Sequence, residues 1–128
     1  MSEPQDFNVE TLAVKTVDML GVSPGQVIWI WGNVHSLDLI EALAFHIRSR
    51  GAHWFVRLNS EPLLRRIGLE APEEYLALTP EHELRWLDDV DAIIELRDHG
   101  SFVPDVPLAR RRALGRAWIA LIDAADRK

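Results

Sequence analysis

Cysteine is absent from this chain of 128 residues. Disulfides, thiolate metal sites and cysteine nucleophiles are therefore excluded, and the absence fits a reducing compartment. No apolar run approaches the length of about 20 residues that a membrane-spanning helix needs. The first residues are acidic and polar, unlike a secretory signal. We therefore expect a soluble, cytoplasmic protein with no membrane partner.

Positive charge is also in short supply. The chain has 14 Lys and Arg against 20 Asp and Glu, which gives a formal charge of −6. Sequence-independent binding to DNA or RNA needs many cations that neutralise phosphates, so we expect no nucleic-acid partner. The length fits a single domain, 1–128, with residues 1–6 as a loose tail. Apolar residues at 48% and charged residues at 27% make an ordinary globular balance.

The stretch 24–58 predicts a strand, a helix and a second strand. Residues 27–31 are apolar on both faces, which indicates a strand covered by helices on both sides. Residues 36–50 place apolar side chains at helical spacing, and Gly51 suits the left-handed residue that often ends a helix. The second strand follows at 54–58, and a right-handed crossover makes it parallel to the first.

The rest of the chain continues this alternation, and the predicted fold is an α/β, three-layer, Rossmann-like domain with helices on both faces. The small parallel sheet should have the order 2-1-3, because the strand with the most continuous apolar run belongs at the centre. The other expected elements are a helix at 7–20 capped by Asn8, short helices at 61–67 (closed by Gly68) and from Pro72, a helix begun by Thr79 and Pro80, a strand at 90–96, and a helix from 106 or 107 to 125.

Loops at the carboxyl ends of the first and third strands mark a candidate binding crevice, because open α/β sheets bind ligands there. The crevice is predicted from six residues: Gly32, Asn33, His35, Ser36, Asp98 and His99. The first loop is not G-x-G-x-x-G, and no Walker-type lysine follows it, which disfavours a nucleotide. The alternative interpretation is a plain turn in which Ser36 caps the following helix.

No catalytic or metal-binding constellation is evident in the sequence. None of the five histidines belongs to an H-E-x-x-H motif, and no two of them are four apart on a helix. Glu81 and Glu83 lie at a helix start, where they stabilise the positive end of the helix dipole. We therefore predict no catalytic residue, no metal ligand and no cofactor in this chain.

Five tryptophans are many for this length. Trp29 and Trp31 are two apart in a predicted strand, so they face the same side of the sheet. We expect most of the tryptophans to be in the core, with their indole N–H groups bonded to a partner at the sheet edge.

Beyond these patterns, the chain resembles the N-terminal domain of the thermophilic metallo-aminopeptidases of the aminopeptidase T and aminopeptidase S type. The resemblance is carried by L-G-V-S-P-G-Q-V-I-W-I at residues 20–30 and by R-G-A-H-W-F-V-R-L at residues 50–58. It continues through L-I-E-A-L at 39–43 and D-V-D-A-I-I at 89–94, so it spans most of the chain in order. A related group, the ring-cleaving dihydroxypyridine dioxygenases, is similar in its domain plan.

The resemblance implies a parent that removes N-terminal residues from peptide substrates with two divalent metal ions of the zinc or cobalt type. In that family the metal ligands are carboxylates, histidines and a tyrosine of the C-terminal half, and none of those positions exists here. The chain alone is therefore expected to be inactive. Its implied role is a non-catalytic domain that shapes the substrate cavity and contacts a missing C-terminal catalytic domain or, in a homodimer, a second copy.

Two alternatives stay open. One is a stand-alone module that binds a small polar ligand in the crevice, and the other is the same domain of an iron dioxygenase. The third strand would lie at a sheet edge, and the last helix carries Trp118, Leu121 and Ile122, part of which could pack on a missing element. Because exposed edges pair with other chains, we also expect the isolated chain to form a symmetric dimer.

Overall fold

The computed structural model describes residues 8–96 and 104–127. The elements alternate between helices and strands along the chain. They are α1 Val9–Leu20, β1 Val27–Asn33, a 3₁₀ turn Val34–Ser36, α2 Leu37–Ser49, β2 His53–Asn59, α3 Glu61–Glu70, a second 3₁₀ turn Glu73–Tyr75, α4 Glu81–Asp89, β3 Ala92–Glu95 and α5 Leu108–Asp126.

The three strands form a parallel sheet in the order β2-β1-β3, which confirms the predicted order. In its register Val27 lies opposite His53, and Ile28 lies opposite Ala92. Every residue of β1 after Val27 is buried. The apolar run at 27–31 therefore occupies the centre of the sheet because a central strand has both a neighbour on each side and a helix layer on each face.

Helices cover both faces of the sheet, as predicted. On one face Ile28 and Ile30 pack with buried residues of α1 and α2, among them Val17 and Ile47. On the other face Trp29 and Trp31 pack with Leu87 of α4, Val90 and Leu121 of α5. Successive side chains of β1 point to opposite faces, so one strand contributes to both cores.

The turn between α2 and β2 confirms the sequence-based interpretation of Gly51. This residue has a φ of 78°, which a glycine adopts without strain. A Cβ atom there would also lie 3.3 Å from the Cβ of Pro24. The backbone carbonyl of Gly51 accepts a hydrogen bond from the backbone N–H of Gly25 at 2.9 Å. This bond connects the two turns that precede β1 and β2.

Two predicted helix boundaries were wrong. Helix α3 continues through Gly68 to Glu70 instead of ending there. Gly68 is needed for close packing, because a Cβ atom at this position would lie 2.9 Å from both methyl groups of Val106. Helix α4 begins at Glu81, with Pro80 at the N-cap and no side-chain capping bond, so Thr79 is not its cap.

The third strand is shorter than predicted, and Asp91 explains where it begins. The backbone N–H of Val27 donates to Oδ2 of Asp91 at 2.8 Å, and the N–H of Asp91 donates to the carbonyl of Val27 at 2.8 Å. Asp91 thus sets the register of β3 against β1. In the two described ranges, no helix is both long enough and apolar enough to cross a membrane.

Candidate functional site

A cavity of about 770 Å³ opens where the three strands end. Its wall on the sheet side contains Trp31, Gly32 and Asn33 of β1, Asn59 of β2 and Glu95 of β3. All five lie at the carboxyl ends of their strands because the sheet is parallel. This is the position at which open α/β sheets bind ligands.

The structure places three of the six predicted crevice residues, Gly32, Asn33 and His35, in the lining of this cavity. Ser36 follows directly but is not part of the lining. Asp98 and His99 lie outside the described residues. A ligand-binding role for the six residues stays a prediction.

Asn33, and not Ser36, organises the loop after β1. The Asn33 side-chain oxygen accepts hydrogen bonds from the backbone N–H of His35 at 2.8 Å and from the hydroxyl of Ser36 at 3.2 Å. Ser36 makes no capping bond to α2. Asn33 therefore caps the 3₁₀ turn Val34–Ser36, and its amide oxygen is occupied in holding that turn.

Gly32 is present because α2 packs closely against the end of β1. A Cβ atom at position 32 would lie 2.6 Å from Cδ1 of Ile40. Steric packing therefore accounts for this glycine without a phosphate ligand.

The charge of the described lining is negative. It includes the carboxylates of Glu61, Glu95 and Asp126 and the imidazole of His35, and it includes neither lysine nor arginine among the described residues. Trp31 and Trp118 add two indole rings whose centroids are 6.3 Å apart. Carboxylates attract cations, so the Glu61 and Asp126 side chains of this lining favour a cationic group over an anion.

The sequence interpretation missed the ion pair beside the cavity. Arg57 of β2 donates from Nε to Oε2 of Glu83 and from Nη2 to Oε1 of Glu83 at 3.1 Å. Its Nη1 donates to Oδ1 of Asn59 at 2.7 Å, and its guanidinium carbon lies 4.1 Å from the ring centroid of Trp118. Glu83 is only 6% exposed, so its main role is to neutralise Arg57.

No local pattern indicated this pairing, because the two residues are 26 positions apart and lie on different elements. The only available signal was an arginine inside a predicted strand. Through its contacts with Glu83 and the Trp118 ring, Arg57 connects β2 to α4 and α5 on one face of the sheet.

The prediction for the indole N–H groups was wrong at the centre of the sheet. Within the described part of the chain, Nε1 of Trp29 and Nε1 of Trp31 are buried without a hydrogen-bond partner. The rings pack on other rings instead. Trp29 meets Trp31 edge to face at 5.4 Å and stacks on Phe55 at 4.8 Å. Aromatic packing thus takes the place that hydrogen bonds were expected to have.

Residues 8–96 and 104–127 contain no group of three or more His, Asp or Glu side chains that could hold a metal ion. The described side chains therefore do not fit the two-metal centre that the family resemblance implies for a parent protein.

Comparison with known proteins finds similarity among solved structures. No family model and no curated protein is similar to the chain. Among solved structures, wild-type AmpT from Thermus thermophilus, an aminopeptidase, superposes with a TM-score of 0.69 at 21% sequence identity. The match covers 90% of this chain but only 33% of AmpT. The chain thus spans about a third of that protein, and it shares the fold of that third.

Proposed function

We propose that this chain is the N-terminal, non-catalytic α/β domain of an aminopeptidase-like metallopeptidase of the cytoplasm. The observation that carries the proposal is the superposition on AmpT, in which nearly the whole chain matches one third of an aminopeptidase. The motifs at residues 20–30 and 50–58 support the same parent independently, because they are features of the amino-acid sequence and do not depend on the superposition.

In the proposed parent, two divalent metal ions held by the catalytic domain would supply activated water for hydrolysis of the N-terminal peptide bond. The described residues of this chain contribute no such set of ligands. The proposed contribution of the chain is shape and charge. The cavity at the strand ends presents the carboxylates of Glu61 and Asp126, which suit the protonated amino end of a peptide.

A domain exchange tests this proposal. The corresponding third of AmpT is replaced by this chain, and hydrolysis of a leucyl anilide is measured with cobalt. We expect the isolated chain to be inactive and the chimera to be more active than AmpT that lacks its first third. Metal-dependent turnover by the isolated chain would refute the non-catalytic role. A folded chimera with no gain over the truncated enzyme would argue against the assignment to this parent.

The cavity supports a second candidate, a stand-alone binding module. Its volume of about 770 Å³ lies within the usual range for small-molecule sites. Because Trp31 and Trp118 line it, tryptophan fluorescence would report a ligand directly. Saturable quenching by a small organic amine but not by the matched carboxylic acid, in the isolated chain, would favour this module over a domain that needs a catalytic partner.

A further inference from the structure

The outer edge of strand β2 pairs with no other strand in the described structure. The N–H of His53 donates to the carbonyl of Gln26 at 2.7 Å, at the start of the parallel ladder with β1. Backbone groups of successive strand residues point in alternate directions, so those of Trp54, Val56 and Leu58 point away from β1. Within residues 8–96 and 104–127, the backbones of these three residues make no hydrogen bond on that side.

This edge also lacks the features that usually prevent strands from pairing. Strand β2 contains neither proline nor lysine, and its one charged residue, Arg57, is neutralised within the molecule by Glu83. Two apolar side chains flank the free backbone groups: Trp54 is 42% exposed and Leu58 is 46% exposed. A seven-residue strand of this kind is a template for another strand.

We propose that a second copy of this chain occupies the outer edge of β2, in antiparallel orientation, with the two-fold axis at Val56. In this register Val56 lies opposite Val56 of the second copy, and Trp54 lies opposite Leu58 of the second copy. The outward-pointing residues then form hydrogen-bonded pairs, each of which exchanges two bonds, for about six in all. The two sheets become one sheet of six strands.

The side chains of β2 are self-complementary in this register. The two-fold axis produces the pair of Trp54 with Leu58 twice, on the same face of the sheet. Such aromatic–aliphatic pairs stabilise antiparallel strands. On the opposite face Phe55 meets Arg57 of the second copy, whose charge is already held by Glu83. No like charges are brought together along the strand.

These observations favour a second copy over a free extended peptide. The strand of a second copy is already ordered by its own β1, whereas a peptide loses conformational freedom when it binds. The inference does not depend on the proposed aminopeptidase parent. It also differs from the dimer expected at β3, because β3 has only four residues whereas β2 has seven.

The test is sedimentation of the full chain from about 1 to 100 μM, with two double variants that distinguish the register. In W54K/L58K, lysines from the two copies lie opposite each other, so we expect association at least about tenfold weaker than in the wild type. In W54K/L58E, each lysine lies opposite a glutamate. We expect this variant to associate at least about threefold more tightly than W54K/L58K at low salt, with a smaller difference at high salt.

Met19→Lys is the matched control, since Met19 is an exposed apolar residue of α1 and lies outside β2. We expect it to dimerise like the wild type. Circular dichroism and thermal melting confirm that each variant is folded. A wild-type chain that stays monomeric at 100 μM, or double variants that associate equally, would overturn the proposal.

Amide hydrogen exchange supplies a second measurement. On dimerisation we expect slower exchange at Trp54, Val56 and Leu58, while the amide of His53 stays protected at all concentrations by its bond to Gln26. A dimer that leaves these three amides exchanging freely would place the interface elsewhere. Protection only after addition of an extended apolar peptide would replace the second copy by a peptide ligand.

Discussion

Arg57 and Glu83 form a two-bond ion pair between the edge strand β2 and helix α4, beneath the ring of Trp118. The Glu83 carboxylate is almost completely buried. A buried pair of this kind has a consequence for stability. Removal of one partner leaves the other charge without compensation in a position where water reaches it poorly.

We expect Glu83→Ala to lower the free energy of unfolding by about 2 kcal/mol, less than for a fully buried pair because Arg57 remains partly accessible. Urea denaturation followed by tryptophan fluorescence measures the change. Glu81→Ala is the control, since Glu81 is an exposed residue in the first turn of the same helix. We expect it to cost less than about 0.5 kcal/mol. Equal effects of the two substitutions would show that Glu83 acts only through the helix dipole.

Gly32→Ala should destabilise the chain by about 2 kcal/mol, because the new methyl group meets Cδ1 of Ile40. Ile40→Val removes that atom, so the double variant should recover part of the loss relative to the sum of the single effects. Thermal melting of the four proteins gives the coupling. Additive effects would mean that the contact with Ile40 does not explain the glycine.

A second glycine gives the opposite expectation. Gly115 lies within α5, and a Cβ atom there meets nothing within 4 Å. Gly115→Ala should therefore stabilise the chain by up to about 1 kcal/mol, since alanine has the higher helix propensity. A lowered melting temperature for this variant would contradict the structure of this part of α5.

Asn33→Ala should cost about 1 kcal/mol, because the N–H of His35 and the hydroxyl of Ser36 both lose their acceptor. Asn33→Asp keeps an acceptor oxygen and should lose much less. Ser36→Ala should stay within about 0.5 kcal/mol of the wild type, since Ser36 caps nothing. If Ser36→Ala were the more harmful substitution, the sequence-based assignment of the cap would be right after all.

Zinc or cobalt should not stabilise the isolated chain. The described residues bring together no set of metal ligands, and the sequence has no thiolate. Thermal melting with micromolar metal therefore should show no shift of the kind that a bound ligand produces. A rise of several degrees that disappears in His35→Ala or His99→Ala would refute this prediction and would place a metal at the crevice.

Local sequence patterns determined the framework of the fold. The apolar run at 27–31 predicted a strand covered on both faces, and the structure buries that part of β1 after Val27. The left-handed turn at Gly51 and the shared face of Trp29 and Trp31 followed from single-residue preference and from the two-residue period of a strand. These features depend on neighbours within a few residues, so the sequence alone contains them.

Tertiary structure decided which distant side chains meet. Gly68 suggested a helix end. In the structure a glycine is needed there because a Cβ atom would collide with Val106, which is distant in the sequence. Arg57 and Glu83 pair across 26 positions, and the buried N–H groups of Trp29 and Trp31 lie among rings from several elements. Such contacts depend on how helices pack on the sheet, and a one-dimensional pattern records the buried face of an element but not the partner that covers it.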